Sequence, residues 1–177
     1  MHVKKLLVVV DYQKDFVDGA LGFPGAAALE RPIVEKVQAH RRAGGAVAFT
    51  LDTHRADYLS TQEGKNLPVI HCVRGTEGCA LYGRVAGLPQ KGDRVFEKPA
   101  FGSAELFDYL RAEEFHSVEL VGLVSNICVL ANAVLAKTAL PEAVVQVDAT
   151  CTAGFDQGLH RAALDVLHGL QVRVINR

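Results

Sequence analysis

The chain has 177 residues, 49% hydrophobic and 22% charged, with a net charge of −1. That length suits one domain, residues 1–177, large enough to bury a sizeable core. A near-neutral charge without a basic, aromatic-rich patch excludes nucleic acid and anionic membrane as expected partners, and the longest apolar run, Leu6 to Val10, is far too short to span a bilayer.

Met1 to Lys5 and the following apolar run superficially suggest a signal peptide, but Asp11 interrupts the run and no small-residue cleavage site follows. The four cysteines (Cys72, Cys79, Cys128, Cys151) are too sparse for a disulfide scaffold, and none forms a Cys-x-x-Cys pair. A reducing, cytoplasmic compartment is the expectation.

Leu6 to Val10 predicts a buried strand closed by Asp11. Leu29 to Arg42 predicts a helix, with Leu29, Ile33, Val37 and Ala43 on or near one face and Gly44-Gly45 ending it. Ala46 to Leu51 is the second strand. Thr53 to about Asp93 breaks the alternation; its apolar content (Tyr58, Leu67, Ile70, Tyr82) predicts an ordered loop with a short helix or two. Arg94 to Glu97 is a shorter strand. Ser103 caps a helix to about Glu114 that turns Leu106, Phe107 and Leu110 inward. Val118 to Leu123 is a strand, Cys128 to about Leu140 a helix stopped by Pro141, and Ala143 to Asp148 a strand. Asp156 to Gly169 is the last helix and Gln171 to Ile175 the last strand. Strands alternating with helices predict an α/β fold: a six-stranded parallel sheet covered on both faces, in three α/β/α layers.

In such sheets ligands bind beyond the carboxyl ends of the strands. Asp11, Lys98 and Cys128 all stand where a predicted strand has just ended. A cysteine at a helix start meets free N–H groups and the positive end of the helix dipole, which favour the nucleophilic thiolate and an adjacent oxyanion. The second strand ends in Asp52-Thr53-His54, and His71 stands later in the long loop. An Asp and two His on one rim can hold Zn²⁺, Fe²⁺ or Mn²⁺ with positions left open. Cys72, next to His71, points away from it if the loop is extended there. The other five of the seven histidines, His2, His40, His116, His160 and His168, are expected to be structural or solvated.

Asp-x-Gln-x-Asp-Phe (Asp11 to Phe16), Lys-Pro-x-Phe-Gly-Ser (Lys98 to Ser103) and Gly-x-x-x-Asn-x-Cys-Val (Gly122 to Val129) resemble the isochorismatase-like cysteine hydrolases across nearly the whole chain. The resemblance implies a triad of Asp11, Lys98 and Cys128, and a cis peptide at Leu123–Val124. Asp11 would take the thiol proton, Lys98 would hold the pair in its charged arrangement, and the N–H groups of Ile127 and Cys128 would form the oxyanion hole.

With Asp52, His54 and His71 as metal ligands, the chain is similar to the nicotinamidase branch. That branch would use one divalent ion (Zn, Fe or Mn) to hold the substrate's pyridine nitrogen, serve NAD salvage, and favour a homo-oligomer. Glu63 is the further ligand the branch suggests. Phe16 and Phe101 are candidate ring walls, with Leu67 or Ile70 where many nicotinamidases carry a tryptophan that this chain lacks. Asn126 stands where the family often has Asp. Two other readings remain: a hydrolase of another amide or carbamoyl compound, of N-carbamoylsarcosine or ureidoacrylate type, and a catalytically silent assembly module.

Overall fold

The computed structural model describes residues 4–177. Met1 to Val3, and with them His2, lie outside the described residues. Six parallel strands form one sheet, β1 (Lys5–Val10), β2 (Ala46–Asp52), β3 (Arg94–Lys98), β4 (Ser117–Leu123), β5 (Val144–Ala153) and β6 (Arg173–Ile175), in the order β3-β2-β1-β4-β5-β6. The chain runs outward from β1 to β3 and then returns to place β4 against the other side of β1. Parallel strands on either side of this switch send their connections apart, opening a crevice at their carboxyl ends.

β1 is apolar throughout because both of its faces are covered. Leu6, Val8 and Val10 join one core with Leu106 and Leu110 of α4 (Ala104–Glu113), Ala133 and Ala136 of α5 (Leu130–Ala139), and Leu164 and Leu167 of α6 (Gln157–Gly169). Leu7 and Val9 join the other, with Ile33, Val34 and Val37 of α2 (Glu30–Arg42). Burying each such side chain contributes about 1.5–3 kcal/mol. Gly44 ends α2 with a φ of 78°, the left-handed conformation that costs glycine least. Ala43 is exposed, because it already lies past the last helical residue. In α4, Phe107 is half-buried under the Arg111 guanidinium, and Tyr109 packs against the core instead.

The long connection is ordered, with α3 (Gln62–Asn66) and three 3-10 turns. A short helix α1 (Lys14–Val17) follows β1. The helix expected from Cys128 onward is preceded by a wider π-helical turn, Ser125–Val129, with α5 starting at Leu130. β5 runs five residues past the expected Asp148, through a register shift against β4, and delivers Gly154-Phe155 to the rim. Among the described residues no helix is long and apolar enough to cross a membrane.

Candidate active site

Asp11 follows β1 with a φ of 45°, its N–H donating to Thr50 O on β2 at 3.1 Å. That turn aims a fully buried carboxylate across the crevice. Thr50 Oγ1 donates to Asp11 Oδ1 at 2.6 Å, and Lys98 Nζ forms an ion pair with Oδ2 at 2.6 Å. Lys98 ends β3, two strands away from β1. Its four-carbon stem spans that gap, so the residue is 2% exposed despite its charge. The same ammonium lies 3.6 Å from Cys128 Sγ and donates to Ala100 O at 2.9 Å. The three residues expected to act together therefore do meet.

Cys128 sits inside the π-helical turn, and Asn132 anchors it. The Asn132 amide donates to Cys128 O at 2.8 Å and to Phe101 O at 3.1 Å, and accepts from Ser103 N at 3.0 Å. One side chain thus ties the cysteine to the loop after Lys98. Gly122 lets β4 approach β1 closely: its φ is 111°, and a Cβ there would stand 2.0 Å from Val10 O. The Leu123–Val124 peptide is cis.

The helix-start position is expected to favour the thiolate, but the surroundings of Cys128 act the other way. Burial, and then the Asp11 carboxylate, push the Cys128 thiol well above the ordinary cysteine value, with Lys98 pulling the other way. Burial also raises Asp11 above the usual carboxylate value, against the pull of Lys98. The cysteine therefore rests as a thiol beside a carboxylate whose basicity burial has raised. Of the expected oxyanion donors, Ile127 N–H is engaged with Val124 O at 3.1 Å.

The metal ligand candidates assemble on the same rim. Asp52 ends β2, and Gln13 clamps its backbone, donating to Asp52 O and accepting from Asp52 N, both at 2.8 Å. His54 and His71, distant in sequence, are joined because the His54 segment pairs with Val73: His54 N donates to Cys72 O at 2.9 Å. Asp15 Oδ2 accepts from Cys72 N at 2.7 Å and fixes that loop. Cys72 is not extended, with a φ of 45°, yet it stays outside the ligand cluster. Tyr58 is buried behind both imidazoles, 4.6 and 4.9 Å between ring centres.

The donor spacing fits one ion. His54 Nε2 and His71 Nε2 lie 3.1 and 3.3 Å from Asp52 Oδ2, and Glu63 Oε1 lies 3.8 and 3.9 Å from the two imidazoles. Ligands about 2.1 Å from a common ion stand about 3.0–3.4 Å apart. His71 Nδ1 is bonded to Val69 O at 2.7 Å, which leaves Nε2 for the ion. Burial opposes the Asp52 charge, but hydrogen bonds from His54 and His71 prevail and lower its pKa to about 2.

A cavity of about 500 Å³ is lined by residues of both groups, Asp52, Glu63 and His71 from one and Cys128 from the other. Phe16, Leu67 and Phe101 line it as expected. Ile70 does not: it is 54% exposed, because its neighbour His71 takes the inward position. Leu21, Phe23, Val124, Ile127 and Phe155 also line the cavity. For Phe155 a signal existed, since it follows a glycine just past a strand end. The roles of Gln13, Thr50, Tyr58 and Asn132 carried none. His160, expected to be structural or solvated, bonds Ser125 Oγ at 2.8 Å.

Residues 5–177 match the family model described as Isochorismatase domain. The chain is 34% identical over 174 residues to the isochorismatase family protein PncA of Bacillus subtilis strain 168, covering 92% of this chain and 93% of that protein. It superposes on the crystal structure of nicotinamidase/pyrazinamidase PncA from Bacillus subtilis with a TM-score of 0.86 at 31% identity, covering 97% and 99% of the two chains. Pyrazinamidase/nicotinamidase from Streptococcus mutans UA159 gives 0.87 at 29% identity, covering 97% and 100%. This chain belongs to the isochorismatase family.

Proposed function

We propose that the chain hydrolyses nicotinamide to nicotinate and ammonia through a thioester on Cys128. The observation that carries the reading is one cavity lined both by Cys128, whose thiol lies beside the Lys98–Asp11 pair, and by Asp52 and His71 of the Asp/His/His cluster. The relatives named as nicotinamidases support the choice of amide.

The nicotinamide ring would lie among Phe16, Leu67 and Phe101, with its carboxamide carbon over Cys128. Asp11 takes the Sγ proton as sulfur attacks that carbon, so the thiolate forms only as it is used. Lys98 compensates the negative charge throughout, and Cys128 N–H faces the developing oxyanion. Asp11 then returns its proton to the departing nitrogen, and ammonia leaves. A water gives one proton to Asp11 and its oxygen to the thioester carbon. The C–S bond then breaks, Asp11 passes that proton to Sγ to restore the thiol, and the product leaves as nicotinate with its carboxyl proton released to solvent. Asp52, His54 and His71, with Glu63 beside them, would hold one divalent ion. When bound, that ion supplies a Lewis-acid contact for the ring nitrogen, which orients the carboxamide.

The test is ammonia release over a panel of nicotinamide, benzamide, N-carbamoylsarcosine and ureidoacrylate, with and without chelator. Chelator-sensitive turnover of nicotinamide is expected. Turnover of a carbamoyl compound in its place would overturn the proposal.

A further inference from the structure

Ser125 opens the π-helical turn that carries Cys128, and it is fully buried. Its Oγ meets one side chain, the imidazole of His160 on α6, at 2.8 Å from Nδ1. On the other side Gly154 closes against the turn, where a Cβ would stand 2.9 Å from Asn126 Oδ1 and 3.2 Å from Ser125 Oγ. Gly154 and His160 therefore both border Ser125 at the start of the turn. Its backbone is wound around Val124 O, which accepts from both Ile127 and Val129. Ser125 O in turn accepts from the backbone N–H of Leu130. Moving Ser125 would rotate the whole loop, and with it Cys128 N–H.

We infer that His160 is a positioning residue for the reaction: through Ser125 it sets where the Cys128 turn presents its N–H to the substrate carbonyl oxygen. His160 is partly exposed, 35 residues from Ser125 in sequence, and is not among the residues that line the cavity. Burial, then Arg161 and Arg177, hold its pKa below the ordinary imidazole value. A neutral ring bonding through Nδ1 can be imitated by Asn, whose amide sits one bond closer to the backbone than that of Gln.

This inference rests on Cys128 being the nucleophile, which Cys128→Ala tests separately. Steady-state kinetics on nicotinamide, the metal-loaded enzyme and peptide-resolved iodoacetamide labelling are the measurements. His160→Leu is expected to lower kcat about 10–100-fold, the scale of an ångström-size misplacement, with KM within about twofold. The Cys128 alkylation rate should change less than about threefold, since displacement of iodide needs no oxyanion hole. His160→Asn should restore most of kcat and His160→Gln should not, a contrast that stands even if His160→Leu fails to fold. Ser125→Ala should lose a similar factor, and the double variant His160→Leu/Ser125→Ala no more. Full kcat in His160→Leu, equal losses in the Asn and Gln variants, additive losses in the double variant, or alkylation slowed in step with kcat would each overturn it. If Cys128→Ala is inactive while His160→Leu is unimpaired, only the positioning role falls.

Discussion

Asp52 on β2 and Lys98 on β3 stand opposite one another in register, with Lys98 Nζ 3.9 Å from Asp52 Oδ1. The ammonium that pairs with Asp11 and approaches Cys128 thus also borders the Asp52, His54 and His71 cluster. Two groups of residues that could act separately share one charge.

Lys98→Met should test that sharing. The ammonium favours the charged form of Asp11, and without it the Asp11 pKa rises further above its usual value. The base form is then lost at a higher pH, so the acid limb of kcat/KM should move upward. The rate at the plateau should fall by about 10²–10³-fold, as for removal of one electrostatic stabiliser. A pH profile of the variant that superposes on the wild type after scaling would refute this account.

Cys128→Ala should abolish turnover, and Asp11→Asn should be nearly as damaging, because groups acting as a unit do not contribute additively. Burst kinetics and trapping of an acyl adduct on the Cys128 peptide in the wild type would report the thioester. Retained activity in Cys128→Ala would remove the nucleophile from the proposal.

His54→Ala and His71→Ala should each lose the bound ion, measured by metal analysis of protein purified without chelator. Turnover of nicotinamide should fall with the metal, by about 10²-fold or more if positioning is the ion's main contribution. Iodoacetamide should still label Cys128 in both variants. Benzamide, which lacks the ring nitrogen, should be a poor substrate of the wild type, and comparable kcat/KM for the two amides would argue against a nitrogen–metal contact.

Gly122→Ala should destabilise the protein by about 2–5 kcal/mol, read as a lower denaturant midpoint. A φ of 111° is strained for alanine, and the added methyl meets the backbone of Val10 on the neighbouring strand. A midpoint within error of the wild type would show that the strands separate without cost.

The six strands and four longer helices were legible because each carries its own local signal: continuous apolar runs for doubly covered strands, 3.6-residue spacing in α2, and Ser103 and Asp156 accepting from Leu106 N and Leu159 N at the helix starts. Asp11, Lys98 and Cys128 could be singled out because each follows a strand end, and parallel order sends all strand ends to one rim. Tertiary structure decided what depends on distance and burial. The Cys128 thiol rests protonated because burial and the Asp11 charge outweigh the pull of Lys98, a balance that residue order does not encode. His54 and His71 converge only through the pairing of their loop segments, with Asp15 and Tyr58 as supports. Ile70 faces outward because alternation gives the inward place to His71. The bond from His160 to Ser125 joins α6 to the turn that carries Cys128 across 35 residues, where no local pattern could announce it.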